Sequence, residues 1–320
     1  MHKFIIRRLL LMIPMLFIIT VIVFTLVKMA PGDAMSGEPD PNVSQEALDR
    51  QKALYGLDQP PHQQYISWLG NVLQGNFGIS QSRNVPVDRV IGERIWNTVF
   101  LSVVSSVITI LIAIPLGVMS ARKPYSLVDY VGTTGAFVGL ATPNFIAGIL
   151  VIYLFAFQLG WLPAQGTATH GQNLEGFESL IDRLKHVILP AFTLGLASTA
   201  TYMRYMRSEM LEVMGRDFVR TAHAKGLSEQ SVLYKHTLRN ALIPIITLLG
   251  FEFGQLLSGA VITEAVFSWP GLGQLFIESV VNRDYPVIMA INIITAIALL
   301  LGNLLADIFY AVVDPRIRYD

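Results

Sequence analysis

Apolar residues gather along this chain in runs of about twenty, each long enough as a helix to cross a ~30 Å hydrocarbon layer. The runs lie near residues 9–29, 97–120, 131–158, 187–205, 241–265 and 287–312. The pattern predicts an all-α integral membrane protein with about six transmembrane helices. The fourth run is the weakest, because Pro190 and Gly195 interrupt it and Tyr202 and Arg204 close it. Such residues are tolerated in a span when neighbouring helices satisfy the freed backbone groups, so a packed bundle is expected. Gly135 and Gly139 form a small-xxx-small pair that would admit a neighbouring backbone.

Polar residues divide the rest. A first span at 1–30 is followed by a connection at 31–96, a core at 97–312 and a tail at 313–320. The connection holds a helix-like patch, Gln63–Val72, and turns at Gln59-Pro60-Pro61 and Gly75–Gly78. It reads as a solvated cap over the mouth of the bundle. A second polar stretch, 206–240, lies inside the core.

Composition narrows the class. Only 14% of the 320 residues are charged, against roughly 25% in a soluble domain. The net charge is zero, which gives no sign of a nucleic-acid partner, and the absence of cysteine excludes disulfides, thiolate metal sites and a cysteine nucleophile. Lys3, Arg7 and Arg8 could open a signal peptide, but Leu9–Val27 exceeds the roughly 7–15 residues of a signal core. Lys28 also stands where small cleavage-site residues would be needed. The run therefore reads as an uncleaved span.

Basic residues set the orientation. With the N-terminus inside, the inner segments carry 14: three at the N-terminus, Arg122 and Lys123, seven from Arg204 to Arg239, and Arg316 and Arg318. The longer outer segments carry nine. Both termini and the 206–240 loop are expected on the cytoplasmic side, with 31–96 outside.

Within the loop, DFVRTAHAKG (217–226) reads as a short helix, with Asp217 as N-cap and Gly226 as the stop. Ser228 can cap a second helix, with Glu229 in its first turn. Small residues Thr221, Ala222 and Ala224 lie among basic Arg220 and Lys225. Such a helix could sink into a groove on a partner, or lie as a basic amphipathic segment on anionic lipid. Spacing alone supports both.

The loop resembles the Glu-Ala-Ala loop of ABC importer permeases. Arg220-Thr221-Ala222 stand in the place of Glu-Ala-Ala, Gly226 is the glycine, and His236, Leu238 and Arg239 replace isoleucine, leucine and proline. Only Ala222, Gly226 and Leu238 match that general pattern. The longer stretch RTAHAKGLSEQSVLYKHTLRNALIP (220–244), however, is similar to the dipeptide/oligopeptide permease branch, which commonly lacks the acidic residue. So are APGD (30–33), YGLDQP (55–60), WLGNVLQGNFG (68–78), LGWLPAQG (159–166), FSWPGLG (267–273), NRDYPV (282–287) and DPRIRY (314–319). The long first connection and the C-terminal end resemble the B-type subunit of that branch.

The resemblance implies a type I ABC importer permease in a bacterial or archaeal cell membrane. It implies four kinds of partner: a second, C-type permease, two ATP-binding subunits that hold ATP and Mg, an external substrate-binding protein, and the bilayer. Arg220, Thr221, Ala222, Ala224, Gly226 and Leu227 would carry the ATPase coupling. Di- or oligopeptides are the expected cargo, and the branch also includes importers of glutathione, nickel complexes and some oligosaccharides. The chain has no G-x-x-x-x-G-K-[ST] phosphate loop of its own, so ATP would be handled by another polypeptide and the chain itself would not be an enzyme.

Polar groups at membrane depth are further candidates. Glu252, Gln255, Gly259 and Thr263 fall on one helical face of the fifth span, which suits a water-filled translocation path or a polar bond to a neighbouring helix. Asn292, Asn303 and Asp307 mark the last span, and Asp307 is near enough to its end to snorkel. Asn97, Thr98, Ser102, Ser105 and Ser106 give the second span a polar side. Trp96, Trp161 and Trp269 lie near span ends, where aromatic belts form. His223 and His236 are too far apart in sequence to suggest a metal site. A secondary carrier or channel would need its own coupling-ion site, often in inverted repeats. No such repeat is visible, and Glu252 is the one feature that favours that alternative.

Overall fold

A computed structural model describes residues 2–29, 59–169, 171 and 174–313, with the side chains of 2–4, 247, 249–259 and 309–313 outside that description. Residues 30–58 and 314–320, including the first part of the expected outer connection and nearly all of the tail, lie outside the described residues. The described elements are α1 (His2–Met29), α2 (Pro61–Leu73), α3 (Val87–Arg122), α4 (Leu127–Ala141), α5 (Asn144–Val151), α6 (Gly176–Met214) and α7 (Asp217–Ala224). After a turn at Glu229–Ser231 and a π-helical stretch at Val232–Leu238 come α8 (Arg239–Val266), α9 (Leu272–Val281) and α10 (Tyr285–Val313).

Three described helices are long and apolar enough to cross a membrane: Ile5–Met29, Val87–Arg122 and Tyr285–Ile308. They hold the first, second and sixth expected spans. The second helix starts earlier than the sequence suggests, because Val87, Val90 and Ile91 are buried against Leu272, Leu275 and Val287. The third expected span is not one helix. It breaks between Ala141 and Asn144 and turns by 112°, because Pro143 has no N–H to donate and pushes Thr142 to an extended ψ of 120°. The π-helical Ile152–Gln158 extends its second limb.

The fourth expected span runs the other way. Pro190 and Gly195 do not interrupt it, and α6 continues through both for 39 residues. This helix is central: it packs on α3 and also touches α4, α5 and α8. A helix surrounded by protein can carry polar residues that lipid would reject, which explains its weak hydropathy. The α3–α6 seam is close because α3 places Ser105, Thr109, Ala113, Gly117 and Ala121 at every fourth position. A Cβ on Gly195 would lie 2.5 Å from Thr109 Oγ1, and one on Gly117 would lie 2.6 Å from Met206 Cβ. This stripe is the small-residue interface of the bundle. Gly135, expected in that role, has open space where its Cβ would be, and Gly139 meets Leu196 at an ordinary 3.5 Å.

At the end opposite the 206–240 loop, polar clamps hold the connections. Trp269 is fully buried and donates its indole N–H to the Asn97 carbonyl at 3.0 Å. It is therefore a core residue, not an interfacial anchor, whereas Trp96 and Trp161 are exposed. The segment before α6 is pinned by Thr169, whose N–H and hydroxyl donate to Asp182 at 2.8 and 2.7 Å. Helix α2 rests on α1 through Tyr65 and Trp68 against Phe24, so this part of the expected cap lies beside the first span. At the loop end Arg8 meets Asp307 at 2.5 Å. Asp307 thus has a partner on α1, and Asn292 donates to the Ile288 carbonyl of its own helix.

Candidate functional site at the 206–240 loop

The loop is built outward from α6. Met206, Met210 and Val213 form one buried face at the end of that helix. Val219 and Ala222, three residues apart on α7, complete the same apolar cluster with Val118, Ala121, Val232, Ala241 and Ile245. Ala222 thus faces its own chain and is only 4% exposed, contrary to the expectation that it enters a partner's groove. Asp217 also departs from expectation. Arg216 occupies the N-cap without a side-chain bond, and Asp217 is the first helical residue, 3.6 Å from Arg220.

The stop at Gly226 has a clear geometry. Gly226 adopts φ +76°, donates its N–H to the His223 carbonyl at 2.9 Å, and Leu227 donates to the Ala222 carbonyl at 3.4 Å. These two bonds make a Schellman cap, which needs the left-handed conformation at its glycine. The reversed chain then restarts at Ser228, whose hydroxyl accepts the Ser231 N–H. The π-helical turns that follow join directly to α8.

With Val219 and Ala222 turned inward, the outer face of α7 presents Asp217, Arg220, Thr221 and Ala224, flanked by Phe218 and Leu227 at 40% exposure each. A cavity of about 270 Å³ separates part of α7 from the returning chain, with His223 on one wall and Glu229, Tyr234 and Thr237 on the other. The short helix is thus seated by two side chains and capped at its end, while its outer face is uncovered. Such a face suits docking to another polypeptide.

Behind the loop, Arg207 of α6 forks onto Asp129 of α4 with bonds of 2.6 and 2.8 Å. Asp129 also accepts from the Tyr125 N–H at 2.8 Å and the Thr133 hydroxyl at 3.3 Å. Glu209, near the loop end of α6, has its carboxyl raised by partial burial and by Glu212.

The expected pathway stripe is only partly described. Glu252, Gln255 and Gly259 fall on α8, in the part whose side chains lie outside the described set. Thr263 is buried, and its hydroxyl has no partner among the described atoms. The acidic residue that the structure brings to prominence is Glu264. Its carboxyl is fully buried and accepts from the Thr98 hydroxyl at 2.7 Å, the Gly273 N–H at 2.7 Å and the Gln274 N–H at 3.0 Å. Thr98 in turn accepts the Leu272 N–H at 2.7 Å. A Cβ on Gly271 would collide with this carboxyl. Asp284 does the same for the turn before α3, accepting from Ser80 and Ser82 hydroxyls at 2.5 and 2.7 Å. The sequence signal for Glu264 is an acid at a span end followed within nine residues by Gly-Leu-Gly.

The chain matches two family descriptions. "Binding-protein-dependent transport system inner membrane component" matches residues 113–319, and its N-terminal companion matches 1–87. It is 47% identical over 320 residues to the oligopeptide transport system permease protein AppB of Bacillus subtilis, covering both chains fully. It is 39% identical over 319 residues to the glutathione transport system permease protein GsiC of Escherichia coli K12, again covering both. Among solved structures, a chain of the inward-facing MetNI methionine ABC transporter aligns with TM-score 0.56 at 16% identity, covering 70% of this chain and 96% of that one. That likeness concerns the fold.

Proposed function

Because the chain belongs to the family of binding-protein-dependent transport system inner membrane components, it is an integral membrane permease subunit of an ABC importer, and we propose that its cargo is di- or oligopeptides. It is a transport component and not an enzyme. The cargo reading is supported by the full-length similarity to permeases named for oligopeptide and glutathione transport. Both are peptide-like solutes, with a charged carboxylate and amide bonds.

The observation that carries the mechanism is the uncovered face of α7. In the proposed assembly the chain pairs with a second, similar permease, and two ATP-binding subunits, which hold ATP and Mg, sit beneath the pair. Both termini and the 206–240 loop face the cytoplasm, in keeping with the density of basic residues there. Asp217, Arg220, Thr221 and Ala224 meet the ATPase, together with Phe218 and Leu227, while Ala222 and Gly226 hold the helix in place for it. ATP-driven closure of the ATPase pair moves α7, and the buried cluster of Val219, Ala222, Met210 and Val213 passes that motion to α6 and α8. An external binding protein delivers the peptide at the opposite end.

The test is uptake of labelled di- and tetrapeptides by cells with and without the gene, combined with co-purification of the ATPase subunits. Arg220→Glu with Ala224→Glu leaves the buried side of α7 untouched and should abolish both ATPase association and uptake. Native association in that variant would refute α7 as the docking element. Unchanged peptide uptake on deletion would refute the cargo.

A further inference from the structure

We propose that Asp129 and Arg207 are positioning residues for transport, making α4 move as one body with α6 when the 206–240 loop is displaced; this rests on the coupling reading above. The case begins with what holds α4. It is a 15-residue helix that ends at the Pro143 break. Along its middle it packs on α6 with Gly132 beside Met203, Ala136 in the cluster of Ala200 and Met203, and Gly139 beside Leu196, while an apolar cavity of about 470 Å³ opens between Val131 and Gly135 on one side and Phe192 and Leu196 on the other. A Cβ on Gly135 would touch nothing within 4 Å.

The polar grip adds a directional tie near the loop. Arg207 and Arg204, three residues apart on α6 and so on neighbouring positions of one face, both reach α4. Arg207 forks onto Asp129, and the Arg204 guanidinium lies 5.3 Å from the centre of the Phe137 ring. A two-bond fork fixes direction as well as distance, so it transmits rotation where one bond would swivel. Asp129 is rigid in its turn, being held by the Tyr125 N–H and the Thr133 hydroxyl.

Arg207 also sits where motion would enter. It adjoins Met206 and lies three residues before Met210 and six before Val213, the surface that seats Val219 and Ala222 of α7. A displacement of α7 that carries this end of α6 therefore carries Arg207, and through the fork α4 and the limb beyond Pro143.

The experiment uses the assembled transporter in liposomes with loaded binding protein. Arg207→Lys keeps the charge but loses the fork, and Asp129→Asn keeps the shape but loses the charge. Both should retain the ATPase subunits and substrate-stimulated hydrolysis, while peptide uptake per ATP falls about tenfold, equivalent to ~1.4 kcal/mol of lost coupling. The chain has no native cysteine, so in an assembly whose partner subunits are cysteine-free, spin labels at Val138→Cys on α4 and Tyr205→Cys on α6 can report their separation alone. The native pair should give one distance with and without ATP, and Arg207→Lys should add a second. Unchanged uptake per ATP with a single distance in both variants would overturn the proposal while leaving the docking reading intact. Failure of the ATPase subunits to co-purify with the unsubstituted chain would overturn both.

Discussion

Replacing Glu264 by alanine and by glutamine should give very different transporters. The carboxyl serves three donors: the Thr98 hydroxyl and the N–H groups of Gly273 and Gln274. In Glu264→Ala all three lose their acceptor in a fully buried place. At about 1–3 kcal/mol for each stranded donor, the loss is roughly 3–9 kcal/mol, comparable with the whole stability of many domains. Glutamine can do better. Its oxygen can take the place that receives Gly273 and Gln274, and its NH2 can donate to Thr98, which already accepts from Leu272. One hydroxyl hydrogen is then left over, at about 1–3 kcal/mol. Heating the detergent-solubilised assembly and following the monodisperse fraction by size exclusion would rank the three. The expected order is native, then Glu264→Gln slightly lower, with Glu264→Ala far below or absent from the membrane. Equal loss in both variants would show that the charge matters and not the acceptor geometry. A stable Glu264→Ala would refute the clamp altogether.

Gly226→Ala forces a side chain into φ +76°, at a cost of about 1–2 kcal/mol. Reduced ATPase co-purification at unchanged membrane levels is the outcome to look for. Ala222→Leu overfills the cluster beneath α7 by three carbons, for about 1–3 kcal/mol, and should lower uptake by unseating the helix; native uptake would contradict the burial of Ala222. Trp269→Ala should cost about 3–5 kcal/mol as a core truncation, whereas Trp96→Ala, on an exposed site, should leave the melting temperature nearly unchanged.

Much of this architecture is legible in the sequence because lipid imposes a simple rule: lipid-facing spans must be long and apolar. The first, second and sixth runs obey it, and they are helices. The rule fails where protein replaces lipid. Helix α6 reads as a weak span since its surroundings are other helices, and Thr98, Ser102 and Ser105 read as part of a polar side of the second span although they are buried in its packing. Hydropathy is also blind to direction, so the run at 131–158 looks continuous although Pro143 turns it. In the loop, Gly226 and Ser228 were identifiable because caps are local, depending on residues two to five apart. The inward turn of Ala222 was not, since it depends on Met210 and Val213 of α6 meeting α7 in space. The same holds for Glu264, whose partners Thr98 and Gly273 come from both sides of it in the chain.

The unbroken length of α6 has a mechanical consequence. Thirty-nine residues at the helical rise make a rod of ~58 Å, so a tilt of only ~5° about its loop end sweeps the far end through ~5 Å. That far end carries Asp182, which holds Thr169 by two bonds. A small angular input beside α7 is thus magnified into a displacement of several ångströms at the far end of the helix.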